Sequence, residues 1–298
     1  MMVEQKNLFG ETEDDVIRDI LRSRYVEPPF SILDSRQQNW QDRKRTWKAL
    51  GIESEVGRDA TVYNTKEWVD KLRDNGSMSG NKLPSNTSIF DPALCEVLYR
   101  WFVPDGGKIL DPFAGGSVRG IVAEFMGYHY TGIDIREEQV MSNYEQANKI
   151  FNGKEERPFW IIGDANIQLD YVNDSFDFVF SCPPYGDLEV YSDLDGDISN
   201  MEYDDFLVAY RSIIAKSCKL LKSGGYACFV VGEFRDKKGN YRGFVPDTIR
   251  AFTDCGMKYY NEGILINSFA SAAIRADGNM KNKKLVKVHQ NILVFKKD

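Results

Sequence analysis

The sequence is poor in histidine, in clustered cysteine and in long apolar runs. Only two histidines occur in 298 residues, and the five cysteines are scattered without a CxxC spacing. Zinc sites and disulfide frameworks depend on such clusters, so we expect free thiols and no metal site. No apolar run approaches the roughly 20 residues that span a bilayer, and the start lacks the pattern of a signal peptide. We therefore expect a cytoplasmic protein that does not enter a membrane.

An excess of positive charge is also missing. The chain has 38 lysines and arginines against 45 acidic residues, which gives a net charge of -7. Nucleic-acid-binding proteins usually carry a basic footprint, so here only a local concentration of charge could supply one. Residues 36–48 and 275–287 are locally basic and would define a phosphate-tracking cleft, although each could equally be an ordinary solvated face. The candidate phosphate-contacting residues are Arg43, Lys44, Arg45, Arg275, Lys283 and Lys284.

The stretch KILDPFAGGS, residues 108–117, predicts a buried strand that runs into a glycine turn. The strand ends at Asp111, and residues 118–126 can be helical. Glycines let the backbone approach a ligand closely, and an acid at a strand end can accept hydrogen bonds from that ligand. On the glycines alone, an ordinary strand-to-helix turn is an equally good interpretation.

A second stretch, FDFVFSCPPY at residues 176–185, favours the ligand-binding interpretation. A buried apolar run ends in Pro183 and Pro184, which fix φ and disfavour helix for the residue before each of them. The chain therefore leaves the sheet in one stiff direction, with Tyr185 at its edge. Two prolines after a strand would by themselves be only a stop signal.

Together the two stretches resemble the DNA amino-methyltransferases, which transfer a methyl group from S-adenosylmethionine to the exocyclic nitrogen of adenine or cytosine. Residues 111–115, DPFAG, are similar to the cofactor motif of that family, and residues 182–185, CPPY, to its catalytic motif. The resemblance covers roughly residues 85–297. Two departures stand out: Gly115, Gly116 and Ser117 replace the usual Gly-Ser-Gly order, and Cys182 replaces Asp, Asn or Ser. The second departure leaves adenine and cytosine both open as targets.

The resemblance implies a double-stranded DNA substrate with a flipped target base, as in restriction-modification or phage DNA modification. Asp134 ends the next predicted strand about twenty residues past the glycines, a position that suits a carboxylate bound to ribose hydroxyls. By resemblance Asp164 would accept from the adenine amino group, and its alternative role is a helix N-cap. The residues expected to bind S-adenosylmethionine are Phe90, Asp111, Phe113, Gly115, Asp134 and Asp164. The residues with an implied catalytic role are Cys182, Pro183, Pro184 and Tyr185.

The order of the predicted elements indicates an α/β fold. We expect a doubly wound, mostly parallel, seven-stranded Rossmann-like methyltransferase sheet with an antiparallel edge and an N-terminal helical extension. The extension is assigned to residues 1–84 and the methyltransferase domain to residues 85–298, with a linker-like segment at residues 74–80. In the extension, Trp40 and Trp47 alternate with cations as on a nucleic-acid surface, although core packing is the simpler interpretation of each tryptophan.

Other functions remain open. An RNA or protein-glutamine methyltransferase fits, because Pro-Pro-Tyr also serves those targets. Covalent attack of Cys182 on a pyrimidine fits less well, since the enzymes that methylate carbon 5 of cytosine place proline before cysteine. A catalytically idle DNA-binding module is supported only by the glycine order and by Cys182. The acidic residues 193–197 are spaced like part of a calcium loop but lack its closing glutamate, so we interpret them as a loop.

Overall fold

The computed structural model describes residues 13–53, 90–153, 156–186, 192 and 194–298. The predicted linker at residues 74–80 and the predicted domain boundary at residue 85 lie outside this part of the chain. The helices of the described residues are α1 (Glu13–Tyr25), α2 (Gln38–Ala49), α3 (Pro92–Phe102), α4 (Val118–Phe125), α5 (Glu137–Ile150), α6 (Ala165–Gln168), α7 (Tyr203–Leu220), α8 (Phe244–Asp254) and α9 (Ala270–Lys281), with a 3-10 turn at Ile198–Asn200. None of them is long and apolar enough to cross a membrane.

Within the described residues, eight strands form one sheet in the order β1-β7-β8-β6-β5-β2-β3-β4. These strands are β1 (Ile32–Asp34), β2 (Lys108–Asp111), β3 (His129–Asp134), β4 (Phe159–Ile162), β5 (Phe176–Ser181), β6 (Leu221–Val231), β7 (Lys258–Ile266) and β8 (His289–Lys296). All neighbouring pairs are parallel except the two that involve β8. The chain winds outward in both directions from β2 and β5, which confirms the predicted doubly wound α/β fold.

The antiparallel strand does not lie at the edge, contrary to our expectation. Strand β8 pairs with β6 on one side and with β7 on the other. Its central residues, Ile292, Leu293, Val294 and Phe295, are all buried, as is typical of a strand that is covered on both faces. The edge beyond β7 is taken by β1, an eighth strand that the sequence did not predict.

The N-terminal segment shares its core with the sheet. Strand β1 pairs with β7 in parallel, from Ile32 opposite Ile264 to Asp34 opposite Ile266. The next helix, α2, packs on α3, where Trp40 and Trp47 are buried at 1% and 7% exposure. These values confirm the core interpretation of the two tryptophans and exclude them as a base-stacking surface.

Candidate active site

A cavity of about 740 Å³ opens at the carboxyl ends of the parallel strands, where the chain reverses its winding direction between β2 and β5. Ligands of open α/β sheets bind at this position, and the volume lies within the roughly 300–1,000 Å³ of typical ligand sites. Most of the residues that were predicted for the site lie on its wall. They are Lys44, Phe90, Phe113, Gly115, Asp134, Asp164, Cys182, Pro183, Pro184, Tyr185 and Arg275.

The glycine turn lines the cavity through Gly115 and Gly116. Gly115 has a φ of +50°, which favours glycine, and its N–H donates to Asp134 Oδ2 at 2.8 Å. A Cβ placed on Gly116 would meet no atom within 4 Å, so the space beside this residue is open. Ser117 is buried, and its hydroxyl donates to Gln146 Oε1 at 2.6 Å. The unusual Gly-Gly-Ser order therefore leaves the backbone of the turn accessible and directs the serine into the core.

Two carboxylates follow the glycine turn along the same edge of the sheet. Asp134 is 14% exposed, and its Oδ1 accepts from the Arg136 N–H at 2.9 Å. Asp164 lies two residues beyond the end of β4, and its Oδ1 accepts from the Asn166 N–H at 2.8 Å as the N-cap of α6. Both carboxylates also lie on the cavity wall. For Asp164, the helix-cap and ligand-facing interpretations are compatible, because the cap uses only one of its two oxygens.

Asp111 does not reach the cavity, which corrects its predicted role as a ligand contact. Its side chain is fully buried. Oδ2 accepts from Arg119 Nε at 2.5 Å and from the Tyr130 hydroxyl at 2.7 Å, while Oδ1 accepts from Ser181 Oγ at 2.5 Å and from the Phe113 N–H at 3.2 Å. A carboxylate has about four acceptor positions, so all of them are used inside the protein. Asp111 therefore holds the turn together.

The partner of Asp111, Arg119 on α4, was missed by sequence reasoning. Its guanidinium donates to the carbonyl oxygens of Phe113 at 2.6 Å and Ala114 at 2.9 Å, and it lies 4.7 Å from the ring centre of Phe90. Burial alone would lower the pKa of Arg119, but the adjacent Asp111 carboxylate outweighs this and raises the pKa. The only available signal was a single cation at the start of the otherwise mostly apolar helix VRGIVAEF.

The Cys-Pro-Pro-Tyr turn also lines the cavity, directly after β5, which is the neighbour of β2 in the sheet. The hydroxyl of Tyr185 accepts from Gln290 Nε2 at 2.8 Å and also contacts the Cys182 side chain. Its ring packs edge-on against Phe234 and Phe244, with ring centres 6.2 Å and 5.9 Å away. Burial raises the pKa of Tyr185 well above its ordinary value, so the hydroxyl stays protonated. The ring is therefore fixed at both its hydroxyl and its edge.

Two further residues of the cavity wall, Gln290 and Glu233, were not predicted. Gln290 lies on β8, 105 residues from Tyr185, and no local sequence pattern reports such a pairing. Glu233 follows β6 on the cavity wall, but its carboxylate accepts from the N–H groups of residues 243, 244 and 245 and so stabilises the start of α8. Glu233 is thus a structural cap that happens to face the cavity.

Three cations of the first basic segment, Arg43, Lys44 and Arg45, are each paired with an acid, and their role as phosphate contacts stays a prediction. Arg43 pairs with Glu96 at 2.6 Å and Lys44 pairs with Asp91 at 3.0 Å, so α2 is joined to the start and first turns of α3. Arg45 pairs with Asp42 on its own helix. Arg43 and Lys44 therefore link α2 to α3, whereas Arg45 and its partner are mostly exposed.

Part of the second basic segment lines the cavity. Arg275 of α9 is exposed and lies on the cavity wall. Lys283 is exposed just past the end of α9, in the left-handed region with a φ of 55°. Lys284 is half-buried, with its ammonium group packed against Gly239. Of the six predicted phosphate contacts, Lys44 and Arg275 lie on the cavity wall, and Arg45, Arg275 and Lys283 are exposed.

Searches for similar proteins gave fold-level matches only. No family model matches the chain, and no curated protein matches it. Among solved structures, TrmN from Thermus thermophilus is 14% identical with a TM-score of 0.48, over 89% of this chain and 80% of that one. Magnesium protoporphyrin IX methyltransferase from Synechocystis PCC 6803, with bound SAM, is 13% identical with a TM-score of 0.47, over 80% and 97%. A putative RNA methyltransferase from Pyrococcus horikoshii is 16% identical with a TM-score of 0.46, over 78% and 98%.

Proposed function

We propose that the chain is an S-adenosylmethionine-dependent methyltransferase that acts on the exocyclic amino group of adenine or cytosine in DNA. One observation carries the proposal: the Gly115 turn, Asp134 and the Cys-Pro-Pro-Tyr turn all line a single cavity. A cofactor bound at the first two would therefore share this cavity with an acceptor bound at the third. Methyl transfer requires this arrangement, because the donor and the acceptor must meet in line.

The glycine turn and the two carboxylates that follow it fit the polar groups of S-adenosylmethionine. Asp134, at the end of β3, offers carboxylate oxygens to the two ribose hydroxyls. Asp164 has one oxygen outside its helix-cap bond for the adenine amino group. The open space beside Gly116 lets the ligand approach the backbone, and Phe90 provides an apolar wall that is backed by Arg119. When bound, S-adenosylmethionine supplies an electrophilic methyl group on a positively charged sulfur.

The Cys-Pro-Pro-Tyr turn fits a flat base with a hydrogen-bonding edge. Tyr185 can stack on the face of a base that has left the helical stack, and its fixed hydroxyl keeps the ring in place. The Cys182 thiol and the Pro183 carbonyl are the acceptors that we assign to the amino hydrogens. A thiol is a weak acceptor, so the backbone carbonyl contributes more than the side chain. These acceptors help to localise the nitrogen lone pair, which would otherwise be delocalised into the ring.

A direct test of the substrate class uses cofactor with a labelled methyl group. The purified chain is incubated with duplex DNA, total RNA and a protein extract in separate reactions, and the label in each polymer is counted after removal of free cofactor. Label in DNA that is absent from the Tyr185→Ala protein supports the proposal. Label confined to RNA or protein would favour the alternative targets of the Pro-Pro-Tyr motif.

The cofactor assignment predicts that Asp134→Ala weakens S-adenosylmethionine binding about 10- to 150-fold. This range corresponds to the roughly 1.5–3 kcal/mol of hydrogen bonds to a charged group. Isothermal titration calorimetry measures the change, with Asp204→Ala on the exposed face of α7 as the matched control. Asp134→Asn, which keeps one acceptor oxygen, should give an intermediate affinity. Parental affinity in the Asp134→Ala protein would remove this residue from the cofactor site.

A further inference from the structure

An ammonium group without a counter-ion lies beside the Cys-Pro-Pro-Tyr turn. Lys287 lies two residues before the start of β8 and lines the cavity. A Cβ placed on Gly232 would lie 3.6 Å from Lys287 Nζ and 3.7 Å from the Tyr185 hydroxyl, so the two groups flank the same point at the end of β6. Lys287 therefore lies beside Tyr185 of the Cys-Pro-Pro-Tyr turn.

The surroundings of Lys287 do not neutralise its charge. Among the described residues, no carboxylate oxygen lies within 4.0 Å of Nζ, and its one hydrogen bond is a long contact of 3.5 Å to Asn291 Oδ1. Glu233, the acid whose charge acts on Lys287, already accepts from the backbone N–H groups at the start of α8. Burial lowers the pKa of Lys287, and only the more distant Glu233 acts in the opposite direction.

Buried or half-buried charges are normally paired, because leaving water without a partner is costly. A cation without a partner at the wall of a ligand cavity therefore indicates an anionic group on the ligand. His289 lies on the same wall, and burial lowers its pKa, so it is available as a neutral hydrogen-bonding group. Arg275 is a second cation that lines the cavity.

We propose that the Lys287 ammonium binds a phosphate group of the nucleic acid next to the target base, an inference that rests on the proposed function. The phosphate fixes the flipped nucleotide while Tyr185 stacks on its base. Phosphate contacts position a substrate without reading its sequence, so this site acts on every target alike. The binding energy of this phosphate contact comes from Lys287, and not from Cys182 or Pro183.

The first test compares DNA binding by Lys287→Met with that of the parent, in the presence of S-adenosylmethionine. Methionine keeps the length and apolar character of the stem and removes only the charge. Fluorescence anisotropy with a short duplex should show several-fold weaker binding, and the slope of log affinity against log salt should fall by about 0.9, as for one lost phosphate contact. The control is Lys258→Met, which removes an exposed cation at the far end of the β7–β8 pair from Lys287. This variant should leave the slope unchanged. An unchanged slope in Lys287→Met overturns the inference.

The second test needs no nucleic acid. Acetylation of each lysine by acetic anhydride is quantified from peptide masses, in chloride and in inorganic phosphate of equal ionic strength. Phosphate should protect Lys287 and leave Lys258 unprotected, and equal acetylation of Lys287 in both salts overturns the inference. If DNA is methylated while neither test responds, the inference fails and the proposed function stands. If phosphate protects but DNA is neither bound nor methylated, the nucleic-acid assignment fails together with the proposed function.

Discussion

Replacing Tyr185 by alanine is expected to remove most of the methyltransferase activity while leaving cofactor binding intact. The lost stacking is worth roughly 1–3 kcal/mol per base, which corresponds to about 5- to 150-fold in kcat/KM. The loss should appear mainly in the KM for DNA, because stacking holds the flipped base before transfer. Steady-state kinetics at saturating cofactor measures the loss in kcat/KM. Calorimetry with S-adenosylmethionine should show that cofactor binding is unchanged.

Two milder variants separate the ring of Tyr185 from its hydroxyl. Tyr185→Phe keeps the ring but loses the bond to Gln290, and Gln290→Leu loses the same bond from the other side. Each should lose about 2- to 12-fold, from the roughly 0.5–1.5 kcal/mol of one hydrogen bond. Their double variant should be no worse than either single one, because the two changes remove one interaction. Additive losses would show that Gln290 acts independently of Tyr185.

Cys182→Ser distinguishes a pocket that holds the base from a nucleophile that attacks it. Serine keeps a small acceptor in place, so this variant should retain substantial activity. A covalent mechanism predicts the reverse order, since a hydroxyl cannot replace a nucleophilic thiolate. An inactive Cys182→Ser protein, together with a trapped adduct between the parent and DNA, would replace amino methylation by carbon methylation.

Breaking the buried pair of Asp111 and Arg119 is expected to cost more stability than any surface change. Arg119→Met leaves the Asp111 carboxylate charged and buried, which should lower the free energy of unfolding by about 3–5 kcal/mol. The exposed pair of Lys108 and Asp174 provides the matched control, since Lys108→Met should cost only about 0–1 kcal/mol. Urea unfolding measures both values. Equal losses in the two variants would contradict the central role of this pair in holding the glycine turn.

The sequence predicted those elements whose signals are local. Each of the seven expected strands carries its own apolar pattern, and each is present in the sheet. Strand β1 has only three residues, Ile32–Asp34, which is too short for a recognisable alternation, and its pairing with β7 is a long-range event. The interior position of β8 likewise depends on β6 and β7, and not on any property of residues 289–296 alone.

The same division applies to the site. The positions of Gly115, Asp134 and Cys182 followed from strand ends and turns, which are local features. The role of Asp111 did not, because the strand pattern cannot show that Arg119, Tyr130 and Ser181 fill every acceptor position of its carboxylate. The charge pattern of α2 likewise could not show the pairing of Arg43 and Lys44, because their partner acids lie about fifty residues away on α3 or at its N-cap.

The central claim is that the glycine turn and the Cys-Pro-Pro-Tyr turn of one cavity bring the sulfonium methyl group to the amino nitrogen of a DNA base. The most direct measurement incubates the chain with duplex DNA and S-adenosylmethionine, digests the product to nucleosides and identifies the methylated nucleoside by mass. The account predicts N6-methyladenine or N4-methylcytosine, present with the parent and strongly reduced with Tyr185→Ala. Methylation at carbon 5 of cytosine, or DNA without any added methyl group under saturating cofactor, would contradict it.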